Sequence, residues 1–283
     1  MKLVRFGPAG QEKPGLVDAD GAIRDLSAHV PDITGAVLDD ASLAKLRAID
    51  ASSLPRAPEG VRLGAPVAGA RSFIAVGLNY ADHAKEAGQP IPTEPILFNK
   101  LTNCIVGPND DVIMPRGSTK LDWELEIAFV VGKRARYVDE ADAMAHIAGY
   151  CICNDVSERH FQLERLGTWM KGKSFETSGP LGPWLVTRDE IPDVQNLDMW
   201  LDVNDERMQT GNTRTMIFPI AHCLHYISQF MVLEPGDVVT TGTPPGVGLG
   251  MKPPKLLKVG DEMRLWIQGL GEQRQTVVAC DVA

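Results

Sequence analysis

Short apolar runs separated by Gly, Pro, Asn and Asp dominate the chain beyond about residue 65. Such runs are typical of β-strands, whereas apolar residues that recur at every third or fourth position indicate helices. The strand pattern occurs at Ser72–Gly77, Leu125–Val131, Gly149–Cys153, Met199–Val203, Asp237–Thr241 and Met263–Trp266. The helical pattern occurs at Asp139–Ala148, Val156–Leu166 and Pro219–Phe230. Because strands and helices do not alternate regularly, the pattern predicts a β-rich α+β domain and argues against a doubly wound fold.

The first 65 residues have a different pattern. Short β-like runs flank the turn sequence at residues 18–21, and Ala41–Ile49 has the spacing of a short helix. The stretch Ser52–Gly60 is rich in Ser and Pro, which is typical of a linker. We therefore predict a small N-terminal domain over residues 1–65 and a larger domain over residues 66–283.

Two glutamates interrupt the apolar run at residues 123–131. Side chains two positions apart project from the same face of a strand, so Glu124 and Glu126 point the same way. Like charges repel at that separation, and burial strengthens the repulsion. A positive charge must therefore lie between them, and a divalent cation is the simplest candidate. The alternative is a solvated edge strand, in which Asp122 would lie on the same exposed face.

Asp155 follows a predicted strand and can complete this acidic pair. Three carboxylates offer the oxygen ligands that a hard cation such as Mg2+ or Mn2+ prefers, with positions left open for water or substrate. We therefore predict a metal site formed by Glu124, Glu126 and Asp155, which we call the acidic trio.

A histidine and a glutamate form a second candidate site. In a helix, His83 and Glu86 would share one face, since they are three residues apart. A carboxylate fixes the tautomer of a neighbouring imidazole and raises its basicity, as a general base requires. The same spacing also occurs on ordinary surface helices, so the spacing alone does not decide the role.

Three cations and a glycine-rich loop supply the groups that an anionic substrate would need. The cations are Lys100, Arg159 and Lys173. The loop at residues 241–248 follows a strand and can present backbone amides and the Thr243 hydroxyl to a carboxylate. It lacks the Gly-Lys-Ser/Thr ending of a phosphate-binding P-loop.

Charge and composition narrow the range of partners. The 283-residue chain has a net charge of -9 and a pI near 5.2, which argues against nucleic acid and anionic membranes as partners. The N-terminus has no signal-peptide pattern, and no apolar run approaches the roughly 18 residues of a membrane helix. We therefore expect a cytoplasmic protein whose partner is a small anionic molecule.

Taken in order along the chain, these motifs resemble the fumarylacetoacetate hydrolase family. The resemblance rests on VGLNYADH at residues 76–83, DWELE at 122–126, NDVSER at 154–159, KSF at 173–175 and TGTPPGVG at 241–248. It implies a mixed, rolled β-sheet catalytic domain, a small N-terminal α/β cap domain and a homodimer. It also implies that the acidic trio holds Mg2+ or Mn2+, that Lys173 lies beside the metal, and that His83 with Glu86 activates water.

The activity implied by this resemblance is hydrolysis of a carbon–carbon bond in a 2,4-dioxo acid, with release of pyruvate. Arg159, Thr243 and Lys100 would position the substrate. Many acylpyruvase-like relatives have Arg where this chain has Leu78. The resemblance therefore favours a polar tail, as in the 2,4-dioxo-3-deoxy sugar acids derived from deoxyrhamnonate or deoxyfuconate. The family also leaves open a decarboxylase or lyase that acts on oxaloacetate, on a homoprotocatechuate-pathway dioate or on ureidoglycolate.

A protein without catalysis is the alternative from a different class. A metal-binding or ligand-sensing protein could carry the same acidic trio, but it has no need of a His–Glu pair matched to a metal site. Loss of the enol absorbance of acylpyruvates in the presence of Mg2+ would distinguish an enzyme from such a sensor.

Overall fold

Strands dominate the computed structural model, which describes residues 1–281. In chain order the strands are β1 (Lys2–Phe6), β2 (Lys13–Val17), β3 (Ile23–Asp25), β4 (Leu63–Gly64), β5 (Phe73–Gly77), β6 (Ile96–Lys100), β7 (Ile105–Val106), β8 (Val112–Ile113), β9 (Leu121–Asp122), β10 (Leu125–Val131), β11 (Ile147–Asn154), β12 (Ser157–Glu158), β13 (Gly179–Thr187), β14 (Asp198–Val203), β15 (Glu206–Asn212), β16 (Val238–Thr240), β17 (Glu262–Ile267) and β18 (Gly271–Val278). The α-helices are α1 (Asp40–Arg47), α2 (Ala81–Glu86), α3 (Met170–Lys173) and α4 (Ile220–Phe230). None of the described helices has the length and apolar character needed to cross a membrane. The predicted β-rich α+β fold is confirmed.

Most strands belong to two sheets. The larger has the order β3-β2-β1-β13-β11-β10-β16-β5-β6, with β4 beside β1 and β7 beside β13. The smaller has the order β15-β14-β17-β18-β8, and β9 and β12 form a separate pair. Most neighbouring strands are antiparallel, but β5 with β16, β7 with β13 and β8 with β18 are parallel. The sheets are therefore mixed, as predicted.

The strands β10 and β11 lie side by side in the larger sheet and carry the predicted metal ligands at their ends. They pair antiparallel from Leu125 opposite Asn154 to Val131 opposite Ile147, and every residue in both is buried. Their side chains alternate between two apolar cores, because successive strand residues point to opposite faces. The start of β10 therefore meets the end of β11, where the acidic trio lies.

The N-terminal residues join the same sheet. β1 pairs with β13 through Leu3 opposite Leu185, and β2 with β3 forms the hairpin predicted around residues 18–21. Leu3 and Leu16 pack in the same apolar core as residues of β11 and β13. The division into two domains at residue 65 stays a prediction.

One helix prediction is wrong. The pattern at Val156–Leu166 predicts an α-helix, but the chain forms β12 there, followed by a single π-helical turn at His160–Glu164. The buried Glu158 side chain accepts hydrogen bonds from the backbone N–H groups of Lys120 and Phe161 at 2.7 and 2.6 Å. These bonds, with the pairing of β12 and β9, hold the chain extended where periodicity alone favours a helix.

A buried aspartate aligns the two strands that lead into the candidate site. Asp237 accepts hydrogen bonds from the N–H groups of Arg71, Ser72 and Glu234 at 3.0, 2.8 and 2.8 Å. These bonds fix the segment that enters β5 relative to the segment that enters β16. The two strands then pair in parallel. Because β5 leads to α2 and β16 leads to the loop at 241–248, Asp237 sets the relative position of both.

We expect Asp237→Ala to lower the free energy of unfolding by about 3 kcal/mol, since three backbone N–H groups lose a charged acceptor. Chemical denaturation followed by tryptophan fluorescence measures this change. Asp20→Ala, at an exposed turn position, is the matched control and should change the free energy by less than about 0.5 kcal/mol. An unchanged denaturation midpoint for Asp237→Ala would contradict the aligning role.

Candidate metal centre and active site

Three carboxylates from the larger sheet converge on one point. Glu124 immediately precedes β10, Glu126 lies within it, and Asp155 directly follows β11. An oxygen from each of the three lies within 4.8 Å of the others, and all three side chains are buried. The backbone N–H of Asp155 donates to the carbonyl oxygen of Glu124 at 2.9 Å. The ladder between the two strands therefore sets the spacing of the acidic trio, and the predicted metal ligands lie together.

Three buried cations alternate with Glu124, Asp155 and one further carboxylate. The contacts run in the order Asp122, Arg159, Glu124, Lys173, Asp155 and Lys100, at nitrogen–oxygen distances of 2.8, 2.6, 2.6, 2.7 and 2.7 Å. We call these six residues the charge chain. Each charge in it contacts opposite charges, which is the arrangement that makes buried ions tolerable.

The charge chain contradicts the alternative of a solvated edge strand. Asp122 is fully buried, and its carboxylate accepts hydrogen bonds from the N–H groups of Gly248 and Leu249 at 2.7 and 3.0 Å. β10 has a hydrogen-bonded neighbour on each side, β11 and β16. The acidic residues therefore face the interior of the protein.

Glu126 is the carboxylate that the charge chain leaves without a cation. It accepts hydrogen bonds from the Thr240 hydroxyl and from the Gly242 N–H, the latter at 2.8 Å. Within residues 1–281, no Lys, Arg or His side chain forms an ion pair with it. Burial, followed by the negative charges of Asp155 and Glu124, raises the pKa of Glu126 well above the ordinary value for glutamate. An ionised Glu126 would therefore carry a negative charge that no cation among the described residues compensates.

Neighbouring cations have the opposite effect on the pKa of Glu124, which is buried beside Glu126. Burial opposes its ionisation, but Lys173 and Arg159 outweigh burial and lower its pKa to about 2. A divalent cation beside Glu126 would act there in the same way. Three carboxylates with one uncompensated charge are the anionic, oxygen-only donor set that Mg2+ or Mn2+ prefers. The residues present therefore fit the predicted metal.

His83 and Glu86 lie on one face of α2. The Nδ1 atom of His83 lies 3.0 Å from a Glu86 carboxylate oxygen, and an ionised carboxylate can only accept, so Nδ1 carries the proton. The Gly246 N–H donates to the same carboxylate at 2.9 Å. A Cβ atom at Gly250 would come within 2.8 Å of it, so a glycine leaves the room that Glu86 occupies. With Nδ1 held in this way, Nε2 is the ring nitrogen that can accept a proton.

These groups open into one cavity of about 670 Å³. Its ionisable interior lining comprises His83, Glu86, Glu124, Glu126, Arg159 and Lys173. A volume in this range suits a small-molecule substrate. Two of the predicted metal ligands and the predicted water-activating pair therefore face the same space.

Arg159 is fixed on the cavity wall by three side-chain contacts. Its Nε and Nη1 atoms contact Asp122, Glu124 and Gln162, whereas its buried Nη2 has no hydrogen-bond partner within residues 1–281. Gln162 is also buried on the cavity wall, and its carbonyl oxygen accepts from Arg159 at 3.1 Å. Sequence reasoning missed Gln162, for which the only signal was its three-residue spacing from Arg159.

Thr243 lies on the cavity wall, but its hydroxyl is already engaged. It donates to the Leu125 carbonyl at 2.9 Å and accepts from the Gln209 side chain at 2.8 Å. These bonds hold the loop at 241–248 against the start of β10. Contact between Thr243 and a substrate stays a prediction.

Lys100 does not line this cavity, and its contact with substrate stays a prediction. Its ammonium group lies behind the acidic trio, 2.7 Å from Asp155, and donates to the backbone carbonyls of Lys173 and Ser178. Burial alone would lower its pKa, but Asp155 outweighs burial and raises the pKa to about 12. Lys100 is therefore a permanent counter-charge that holds Asp155 and the end of α3 in place.

Over nearly its whole length the chain is similar to known enzymes. Residues 72–278 match the sequence profile described as fumarylacetoacetate (FAA) hydrolase C-terminal. A Burkholderia lata protein provisionally named a hydrolase is 59% identical over 276 residues, which cover 97% of this chain and 98% of that protein. The structure of a fumarylacetoacetate hydrolase from Exiguobacterium antarcticum is similar to this one, with a TM-score of 0.84 and 34% sequence identity. The match covers 99% of this chain and 100% of that enzyme's chain. A Sphingobium maleylpyruvate hydrolase, solved with manganese(II) and pyruvate, has a TM-score of 0.82 at 29% identity, covering 99% of each chain.

The raised pKa of Glu126 predicts that this carboxylate destabilises the metal-free fold. A folded-state pKa above the unfolded one costs stability as pH rises past the unfolded value, and the cost disappears at acidic pH. Glu126→Gln should therefore raise the melting temperature of metal-free protein by a few degrees at pH 7, with less gain as pH falls toward 4.5, the ordinary value. The exposed Glu59→Gln is the control, and a lower melting temperature for Glu126→Gln at pH 7 would contradict the account.

The same variant should lose stabilisation by metal. A cation that binds only the folded state adds about 2.7 kcal/mol when its concentration is 100 times its dissociation constant. We expect Mn2+ to raise the melting temperature of the wild-type protein and of Glu59→Gln, but to have little effect on Glu126→Gln. A wild-type Mn2+ shift in Glu126→Gln would place the metal elsewhere.

Proposed function

Since the chain belongs to the fumarylacetoacetate hydrolase family, we propose that it is a metal-dependent hydrolase of a 2,4-dioxo acid. It cleaves the carbon–carbon bond between positions 3 and 4 of the substrate and releases pyruvate. The observation that carries the proposal is the uncompensated charge of Glu126 beside a cavity that His83 and Glu86 also line. A structurally similar maleylpyruvate hydrolase solved with manganese(II) and pyruvate supports it.

The substrate's 2-oxo acid end lies at the charged end of the cavity. The guanidinium of Arg159 and the side-chain amide of Gln162 both line the cavity and donate to its carboxylate. A charge-assisted pair of donors of this kind holds a planar carboxylate in one orientation. A divalent cation held by the acidic trio would supply Lewis-acid stabilisation of negative charge at this end.

His83 acts as the general base. Its Nε2 removes a proton from water while Glu86 holds the Nδ1–H and stabilises the imidazolium that forms. The resulting hydroxide attacks the 4-oxo carbon. The bond between carbons 3 and 4 then breaks, and its electron pair passes into the enolate of pyruvate. The other fragment leaves as a carboxylic acid, and protonation of carbon 3 completes pyruvate.

Lys173 stabilises the enolate as its charge develops. Its ammonium group lies in the charged end of the cavity, 2.6 Å from Glu124 and 2.7 Å from Asp155, and is held there by both. A fixed cation of this kind needs no reorganisation during the reaction, which is why it acts strongly on a developing oxyanion.

The cavity wall determines which substrate tail the protein accepts. The sugar-acid tail favoured by the sequence rests on Leu78, which stands where acylpyruvase-like relatives have Arg. Absence of that arginine is compatible with a hydroxylated tail and also with an apolar one. The side chains on the cavity wall distinguish these two tails.

We expect His83→Ala to lower hydrolysis by at least about 100-fold, because the attacking water loses its base. Its Mn2+ affinity, measured by calorimetry, should stay within about twofold of wild type, since no ligand of the metal is changed. His29→Ala, at an exposed position, is the matched control.

The products distinguish hydrolysis from decarboxylation on the same scaffold. Decarboxylation needs a stabilised enolate but no attacking water, so it would survive in His83→Ala and release CO2. Pyruvate formation by the wild-type protein without CO2, lost in His83→Ala, is the expected result. Full turnover in His83→Ala would contradict the role of the His–Glu pair.

A further inference from the structure

The cavity has a charged end and an apolar end. Its six interior ionisable side chains, with Gln162 and Thr243, belong to the site described above. The other half-buried side chains on its wall are apolar, namely Leu78, Phe98, Trp169, Leu249 and Met251. The remaining polar side chains of the wall, Gln89 and Lys252, are exposed at the mouth. We call the five half-buried apolar residues the apolar wall.

The aromatic part of the apolar wall is built on a glycine. The indole ring of Trp169 lies edge-on to Phe98, with 5.3 Å between ring centroids. A Cβ atom at Gly77 would come within 2.7 Å of the indole, so the ring rests on bare backbone at the end of β5. The Lys173 ammonium lies 5.3 Å from the centre of the Phe98 ring. The apolar wall therefore begins directly beside the charged end.

Leu78 joins the apolar wall through a strained backbone conformation. Its φ angle is +55°, in the left-handed region that leucine rarely adopts. The next residue, Asn79, is fully buried and enforces this bend. Its side chain donates to the carbonyls of Phe218 and Thr241 at 3.0 and 2.8 Å and accepts from the Phe218 N–H at 2.8 Å. Such strain persists where the surroundings over-determine the backbone, and here it lies on a substrate cavity.

We propose that the substrate's tail is an alkyl or aryl group that packs on Leu78, Phe98 and Trp169. This inference rests on the proposed function and names the class of its substrate. The cavity of about 670 Å³ is far larger than the shortest 2,4-dioxo acid requires, and an apolar tail fills its other end. A polyhydroxylated tail would give up hydrogen bonds to water against the apolar wall without replacing them. Apart from Arg159 and Lys173, which belong to the charged end, the only cation among the described lining residues is the exposed Lys252, so a terminal carboxylate on the tail has no buried cation of its own.

A series of substrates tests the inference by turnover. The 2,4-dioxo acids carry methyl, propyl, pentyl or phenyl tails, or tails of matched length with a terminal carboxylate or several hydroxyl groups. We expect kcat/KM to rise roughly fourfold for each added methylene until the cavity is filled, the equivalent of about 0.8 kcal/mol each. Hydroxylated and carboxylated tails should be at least about tenfold worse than the alkyl tail of equal length. Equal or better turnover of either polar tail would overturn the inference.

Two variants test whether the apolar wall causes the preference for apolar tails. Leu78→Arg should lower kcat/KM for the pentyl tail and raise it for the carboxylated tail, because it puts a cation on the wall. Gly77→Ala should displace the indole and weaken the preference for the phenyl tail. Leu166→Arg adds the same charge at a position that is 93% exposed and not part of the cavity wall, so it should leave the substrate ranking unchanged. A ranking that stays fixed in Leu78→Arg, with the fold intact by circular dichroism, would contradict the assignment.

Binding without turnover separates this inference from the proposed function. Calorimetry on Mn2+-loaded protein compares 2-oxohexanoate with 2-oxoadipate, two 2-oxo acids of equal chain length that this reaction cannot cleave. The inference predicts that 2-oxohexanoate binds at least about tenfold more tightly, and that Leu78→Arg reverses the order. This binding order without turnover of any 2,4-dioxo acid would contradict the proposed function and support the apolar tail. Turnover together with tighter binding of 2-oxoadipate would contradict the apolar tail alone.

Discussion

The interaction on which the site depends is the alternation of six buried charges. Asp122, Glu124 and Asp155 alternate with Arg159, Lys173 and Lys100, and each contact is between opposite charges. These residues come from four stretches of the chain, at residues 100, 122–124, 155–159 and 173, so the charges are compensated only when β6, the strands β9 to β12 and α3 are all in place. Removal of one partner would leave a buried charge unpaired, which costs roughly 3–5 kcal/mol. Folding of the core and assembly of the site are therefore one event.

The same alternation leaves one place, beside Glu126, where a bound cation would be favourable. The charge chain is balanced in itself, and Glu126 adds one negative charge that it does not compensate. Lys100 and Lys173 meet Asp155 from two directions and leave the side toward Glu126 acidic. In the proposed function, the cost of a buried carboxylate at this point is recovered when metal binds. Stability that is given up at a functional site in this way is typical of enzymes.

The parts of the site that the sequence predicted are those fixed by short-range geometry. The two-residue period of a strand puts Glu124 and Glu126 on one face, and the three-residue spacing in a helix puts Glu86 beside His83. Other parts depend on contacts between distant segments, which periodicity does not contain. Glu158 accepts from the N–H of Phe161 and ties the segment to the N–H of the distant Lys120, and Arg159 and Gln162 lie on the cavity wall.

Two other features could not be predicted from the sequence: the direction in which the Lys100 side chain points, and which residues form the apolar wall. Lys100 ends a strand and was expected to meet substrate, but it points behind Asp155, where a buried carboxylate needs a partner. The apolar wall combines a residue just after β5, one in β6, one just before α3 and two from the segment between β16 and β17, and no local pattern marks them as neighbours. The apolar character of this wall also argues against the sugar-acid tail, which the sequence favours because position 78 is Leu and not Arg.

Diffraction from crystals soaked in Mn2+, recorded near the manganese absorption edge, tests the central claim most directly. The account predicts one strong anomalous peak enclosed by carboxylate oxygens of Glu124, Glu126 and Asp155, at roughly 2.0–2.6 Å from each. It also predicts that the charge chain keeps its order around the ion. A peak at another site, or no peak at saturating Mn2+, would contradict it.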